Sequence, residues 1–194
     1  KLSIDVQVAG GIAVTTMDMI FYNNSYTVLE GELNFPLGEG QNISRFAMDI
    51  NGVMRDGVVV EKSKGQETFE AIVRRGVDPG LLEMTEGNNF RARIFPINMF
   101  SEKHIIISYE EELSVTQGRS AYMLPLKFAE KVDEFKLRID VRGENAPDQG
   151  QKRSLKINFK KNNGGHIAEI NKKNYVPSQD LQFYISDKNE PAIL

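Results

Sequence analysis

The chain contains no cysteine and no tryptophan, and only two histidines among its 194 residues. It also lacks any apolar run near the roughly 18 residues that a membrane-spanning helix needs. The missing cysteine excludes disulfides, thiolate zinc sites and cysteine nucleophiles, and leaves the redox compartment open. His104 and His166 lie far apart in sequence, without partners at metal-ligand or catalytic spacing. Both therefore read as surface residues. No HExxH, P-loop, GxGxxG or GxSxG motif is present, so no catalytic residue, metal ligand or cofactor is expected. Lys1 is not an initiator methionine and no leader is visible. The expectation is a processed or excised part of a longer protein, with its targeting signals elsewhere.

Hydrophobic residues make up 40% of the chain and charged residues 26%, ordinary values for a globular protein. Charge is uneven. Residues 1–117 carry 10 Lys and Arg against 17 Asp and Glu, whereas residues 118–194 carry 14 against 10. Exposed charges contribute little individually, so ordinary surface variation explains this better than two dedicated binding surfaces. The basic set Lys152, Arg153, Lys156, Lys160, Lys161, Lys172 and Lys173 lacks interleaved aromatics, and the overall pI is near 5.6. Nucleic acid is therefore not an expected partner.

Periodicity of two dominates. Ile4, Val6 and Val8 alternate with polar neighbours, as do Leu29, Gly31, Leu33, Phe35 and Leu37 with Glu30, Glu32 and Asn34. Such alternation marks half-buried strands. Asn51-Gly52 between two apolar runs predicts a type I′ hairpin joining strands over Ser44–Ile50 and Val53–Glu61. A capping box at Ser63 and Gln66, followed by Phe69, Ile72 and Val73 on one face, predicts a helix over Lys64–Arg75. Gly76 and Pro79 end it. Further strands are expected over Phe90–Ile97, His104–Leu113, Phe135–Val141, Leu155–Phe159 and Leu181–Ile185, with a hairpin loop at Asn162–Gly165. The fold class that follows is mainly β: a β-sandwich with one short helix over about 64–75 and a second, smaller β segment. The expected division is 1–117 and 118–194, at Gln117-Gly118.

Several blocks in order resemble one family. They are Leu29–Leu37, Phe46–Ile50, Asp56–Lys62, Phe69-Glu70, Asp78–Glu83, Gly87-Asn88, Phe90–Ile97 and Ile105–Leu113. Together they resemble the VIT domain, the module of vault protein and inter-alpha-trypsin inhibitor heavy chains, from about Ser3 to Val115. The remainder resembles, more loosely, the β-rich stretch between VIT and a von Willebrand A domain. The Asp-x-Ser-x-Ser metal motif of a von Willebrand A domain is absent from this chain. The resemblance implies a non-catalytic interaction or scaffold module within a larger extracellular, membrane-anchored or envelope protein. Its expected partners are proteins, including an adjacent von Willebrand A domain of the same chain, with no membrane insertion by this segment. Arg74, Arg75, Asp78 and Glu83, where the predicted helix meets a Pro-Gly turn, form the candidate interaction set. Local pairing and helix-end stabilisation by the dipole account for the same residues structurally. Two alternatives stand beside the module: a carbohydrate-binding or hydrolytic β-sandwich using surface carboxylates, and a self-assembling protein joined through strand edges.

Overall fold

The computed structural model describes residues 1–61, 81–149 and 154–186, and among them every regular element is a strand. The first eight are Leu2–Ala9 (β1), Ile12–Tyr22 (β2), Leu29–Pro36 (β3), Gln41–Ile50 (β4), Val53–Asp56 (β5), Val58–Glu61 (β6), Leu81–Met84 (β7) and Asn89–Ile97 (β8). Then come Glu102–Glu112 (β9), Val115–Thr116 (β10), Arg119–Leu124 (β11), Val132–Arg142 (β12), Lys160–Asn162 (β13), Gly165–Tyr175 (β14) and Leu181–Ser186 (β15). The chain is mainly β, as its periodicity predicts. The helix expected over 64–75 lies outside the described residues. Contacts divide the chain into two compact units, Lys1–Thr15 with Glu110–Leu194, and Thr16–Tyr109.

In the first unit, Leu2, Ile4, Val6 and Val8 of β1 are all buried, the inward half of a two-residue alternation. Gly10 and Gly11, at φ 58° and 80°, form the turn into β2. A two-residue turn with both φ positive matches the right-handed twist of its strands. β1 pairs in parallel with β12, Leu2 opposite Phe135 and Val8 opposite Val141. A parallel pair needs a long connection, and here all of the chain from Gly10 to Lys131 supplies it. β12 then pairs with β14, and β14 with β13, both antiparallel. A separate sheet runs β10-β11-β15. Its buried Tyr122, Leu124, Leu181 and Phe183 complete the core, and the Tyr122 and Phe183 rings lie 5.0 Å apart. The Tyr122 hydroxyl meets the Thr15 hydroxyl at 2.7 Å, which satisfies two otherwise buried polar groups.

Two expectations fail in this unit. His166 is 6% exposed rather than on the surface. The Asn163-Gly164 turn sets a register that places His166 opposite Val141 and Ala168 opposite Ile139, on the inward phase of β14. Gly165 makes the close approach: a Cβ there would stand 2.2 Å from the Val141 carbonyl oxygen. The alternating run Leu155–Phe159 belongs to no strand. Its backbone is served by other groups. Leu155 donates its N–H to the Asp180 carbonyl, the Gln149 side chain donates to the Leu155 carbonyl, and its oxygen accepts from Ile157. Phe159 still packs inward, 5.4 Å from Phe183.

The second unit contains the sheet β3-β8-β7-β6 and the run β2-β9-β4-β5. Met17, Phe46, Met48, Leu82, Phe90, Ile94, Ile105, Ile107 and Tyr109 are buried in it. Each aliphatic or phenyl side chain so buried contributes about 1.5–3 kcal/mol. The Asn51-Gly52 hairpin forms as predicted, with φ 55° and 80° and Ile50 opposite Val53. The expected second strand does not run on to Glu61 as one piece. It breaks at Gly57, whose N–H donates to the Phe46 carbonyl. Beyond the break the chain leaves β4, and β6 pairs in parallel with β7.

Candidate interaction surface

β7, β8 and β3 lie side by side, and their alternation sorts their side chains. On β8, Phe90, Ala92 and Ile94 are buried, while Arg91 and Arg93 occupy the other phase. Pairing places Arg91 opposite Glu83 on β7 and Arg93 opposite Glu32 on β3. The Arg91 guanidinium donates to the Glu83 carboxylate at 3.0 Å and stands 3.9 Å from that of Glu32. Arg93 donates twice to Glu30, at 2.7 Å through Nη2. The Asn34 amide also donates to Glu32, at 3.0 Å. The result is a ladder of alternating charge across three strands.

The ladder shifts its members in the expected directions. The hydrogen bond from Arg93, opposed by desolvation, holds the Glu30 carboxyl below its ordinary value. The bond to Glu83 raises the Arg91 guanidinium, and the bond to Glu30 raises that of Arg93. These groups are exposed, so the pairs organise the surface more than they stabilise the fold.

Of the four residues selected from sequence, Glu83 is in this ladder. Arg74, Arg75 and Asp78 lie outside the described residues. Glu83 pairs with Arg91, eight residues onward, across the β7–β8 pair. Glu30, Glu32, Arg91 and Arg93 were not selected from sequence. Their signal was there, as charges on the polar phase of two predicted strands, but only register shows which acid meets which base.

Two other features stand out. Asn23 is 3% exposed, and its amide donates to the carbonyls of Thr27, Ile97 and Asn98. It ties the loop after β2 to the loop before β9. On those loops Tyr26 and Phe100 make an edge-on ring contact at 4.8 Å, both largely exposed. In the first unit, a cleft of about 540 Å³ is lined by Gly10, Glu112, Leu113, Arg142, Glu144 and Asn145, among others.

Among the described residues, the remaining polar groups pair locally. His104 is half-buried and its Nε2 lies 2.7 Å from an Asp18 carboxylate oxygen. Ser108 is four residues along the same strand, about 13 Å away at the strand rise, and pairs instead with Thr16. Asp56 accepts from Arg45, and the Asp49–Asp56 run is the β4–β5 hairpin. Among the described residues, no three His, Asp or Glu side chains are placed to hold a metal ion.

The family model of the vault protein inter-alpha-trypsin domain matches residues 1–109. Human inter-alpha-trypsin inhibitor heavy chain H4 is 25% identical over 143 residues, 73% of this chain. The mouse heavy chain 4 is 32% identical over 85 residues, 44% of this chain. The matched segments span 15% and 9% of those relatives. Among solved structures, a Legionella pneumophila protein described as a candidate nutrient-binding protein superposes with a TM-score of 0.59 at 11% identity. The match covers 94% of this chain and 64% of that one. A Parabacteroides distasonis protein described as a candidate protease gives 0.53 at 11% identity, covering 96% and 39%. At such identity these two structures speak to fold alone.

Proposed function

The chain belongs to the vault protein inter-alpha-trypsin domain family, and from that premise we propose that it acts as a non-catalytic protein-interaction module of a longer protein. The observation that carries this reading is the exposed charge ladder of Glu83, Arg91, Glu32, Arg93 and Glu30. It is a patterned polar face whose carboxylates are engaged by the guanidiniums of Arg91 and Arg93. Arg74, Arg75, Asp78 and Glu83 remain the interaction set proposed from sequence. Residues 1–117 are proposed as the family module and 118–194 as the β-rich segment that leads towards a von Willebrand A domain. The parent is proposed to be extracellular or held at a cell envelope, as the heavy-chain likeness suggests.

Cross-linking with mass spectrometry on the full-length protein tests the module reading. Cross-links from the β7-β8-β3 face to another protein or another domain are expected; none from that face would overturn it. A second reading draws on one observation: Glu112 and Glu144 both line the cleft of the first unit, and a carboxylate pair suits glycoside hydrolysis. Turnover of a glycoside panel by the purified chain, lost in both Glu112→Gln and Glu144→Gln, would favour it.

A further inference from the structure

Among the described residues, β3 is an outer strand of its sheet, paired with β8 on one side only. An outer strand leaves alternate N–H and C=O groups free to pair with an added strand. β3 is eight residues long and broadly exposed, with a burial pattern that alternates between exposed and intermediate. Pro36 ends it, and having no N–H it bounds any added strand at Phe35.

We propose that the free edge of β3 takes up an extended peptide segment in which Lys or Arg alternates with an apolar residue. This deepens the module reading and rests on it. Charge complementarity sets the chemistry. Across the sheet the ladder reads acid, base, acid: Glu83 on β7, Arg91 and Arg93 on β8, Glu30 and Glu32 on β3. Among the described residues three carboxylates share two guanidiniums, so the ladder ends on an excess of negative charge at its outer strand. Opposite charges directly across a strand pair stabilise it and like charges oppose it. The next strand outward therefore favours cations on that phase. On the other phase Leu29, Leu33 and Phe35 are part-exposed, which suits apolar side chains in the partner. The same logic disfavours a second copy of this chain at the edge, since β3 against β3 sets glutamates against glutamates.

The test uses the full chain and an end-blocked peptide, Lys-Val-Arg-Ile-Lys-Val-Arg-Ile, with its counterpart carrying Glu at every basic position. Titration is followed by calorimetry and by backbone amide shifts. The basic peptide is expected to bind at least about tenfold more tightly than the acidic one, with shifts concentrated at Leu29–Phe35. Its affinity should fall with added salt. The double variant Glu30→Lys with Glu32→Lys should reverse the preference. Equal binding of both peptides, shifts away from β3, or no binding of the basic peptide overturns the proposal. Because both peptides are tested on the unaltered chain, the result does not depend on the variant folding. The module reading fails separately, through the absence of cross-links on the full-length protein.

Discussion

Asn23 is a single residue that fixes the relation of two loops. Its amide nitrogen donates to three carbonyls while its oxygen accepts from the Ser25 N–H and hydroxyl. Asn23→Ala leaves those carbonyls without their donor at a buried site, which costs about 1–3 kcal/mol. Urea unfolding should show a lowered midpoint with an unchanged slope. Asn23→Asp is informative beside it, because it keeps the shape and the acceptor but loses the donor. Asp180 gives a pH prediction at the same scale. It accepts from the Lys127 ammonium at 2.8 Å and from the Leu126 N–H at 3.1 Å. The Lys127 bond, opposed by burial and helped by the backbone bond, lowers its pKa. A carboxyl lowered in the folded state contributes stability that is present in full above its unfolded pKa, about 4. That contribution is lost as pH falls through the folded value. Asp180→Asn should therefore narrow the stability difference between pH 7 and pH 3, measured by thermal unfolding at both.

At the scale of elements, local chemistry was legible where it decided the outcome alone. Asn51-Gly52 and Gly10-Gly11 are turns because their residues tolerate positive φ, and no distant contact was needed to see it. The alternation of β1, β3, β8, β9 and β12 was legible for the same reason. What failed depends on partners far away in sequence. Gly57 ends β5 because β6 finds β7, and Leu155–Phe159 stays outside the ladders because the Gln149 side chain occupies its backbone. His166 lies on the inward face because a one-residue difference in register moves a side chain from one face to the other. The candidate site was half legible: Glu83 was selected, but its partner Arg91 and the neighbouring ladder depended on strand pairing. Gly165 tests the register directly. Gly165→Ala forces a Cβ against the Val141 carbonyl, a contact that backbone shifts must relieve. The expected cost is about 1–3 kcal/mol, with amide exchange quickening in β12 and β14 more than in the second unit.

For the molecule as a whole, the segment matched by the family and the segment that folds together have different limits. The family match ends at residue 109, yet β1, at its start, has its parallel partner in β12, at Val132–Arg142. Leu2, Ile4, Val6 and Val8 are buried in a unit formed by residues 1–15 with 110–194, most of which the matched segment does not contain. A chain ended after residue 117 therefore loses most of that unit, leaves the edge of β1 without β12, and is expected to uncover its four apolar side chains. Unpaired, apolar edges promote association. The 1–117 chain is expected to unfold at a lower temperature than 1–194 and to associate with rising concentration. Light scattering and calorimetry on the two chains measure both effects. Adding residues 118–186 as a separate chain should yield a one-to-one complex in place of the larger associates if the parallel β1–β12 register is what stabilises β1. A 1–117 chain that stays monomeric, with the thermal midpoint of 1–194, would show that β12 is dispensable to β1 and that the family module folds on its own.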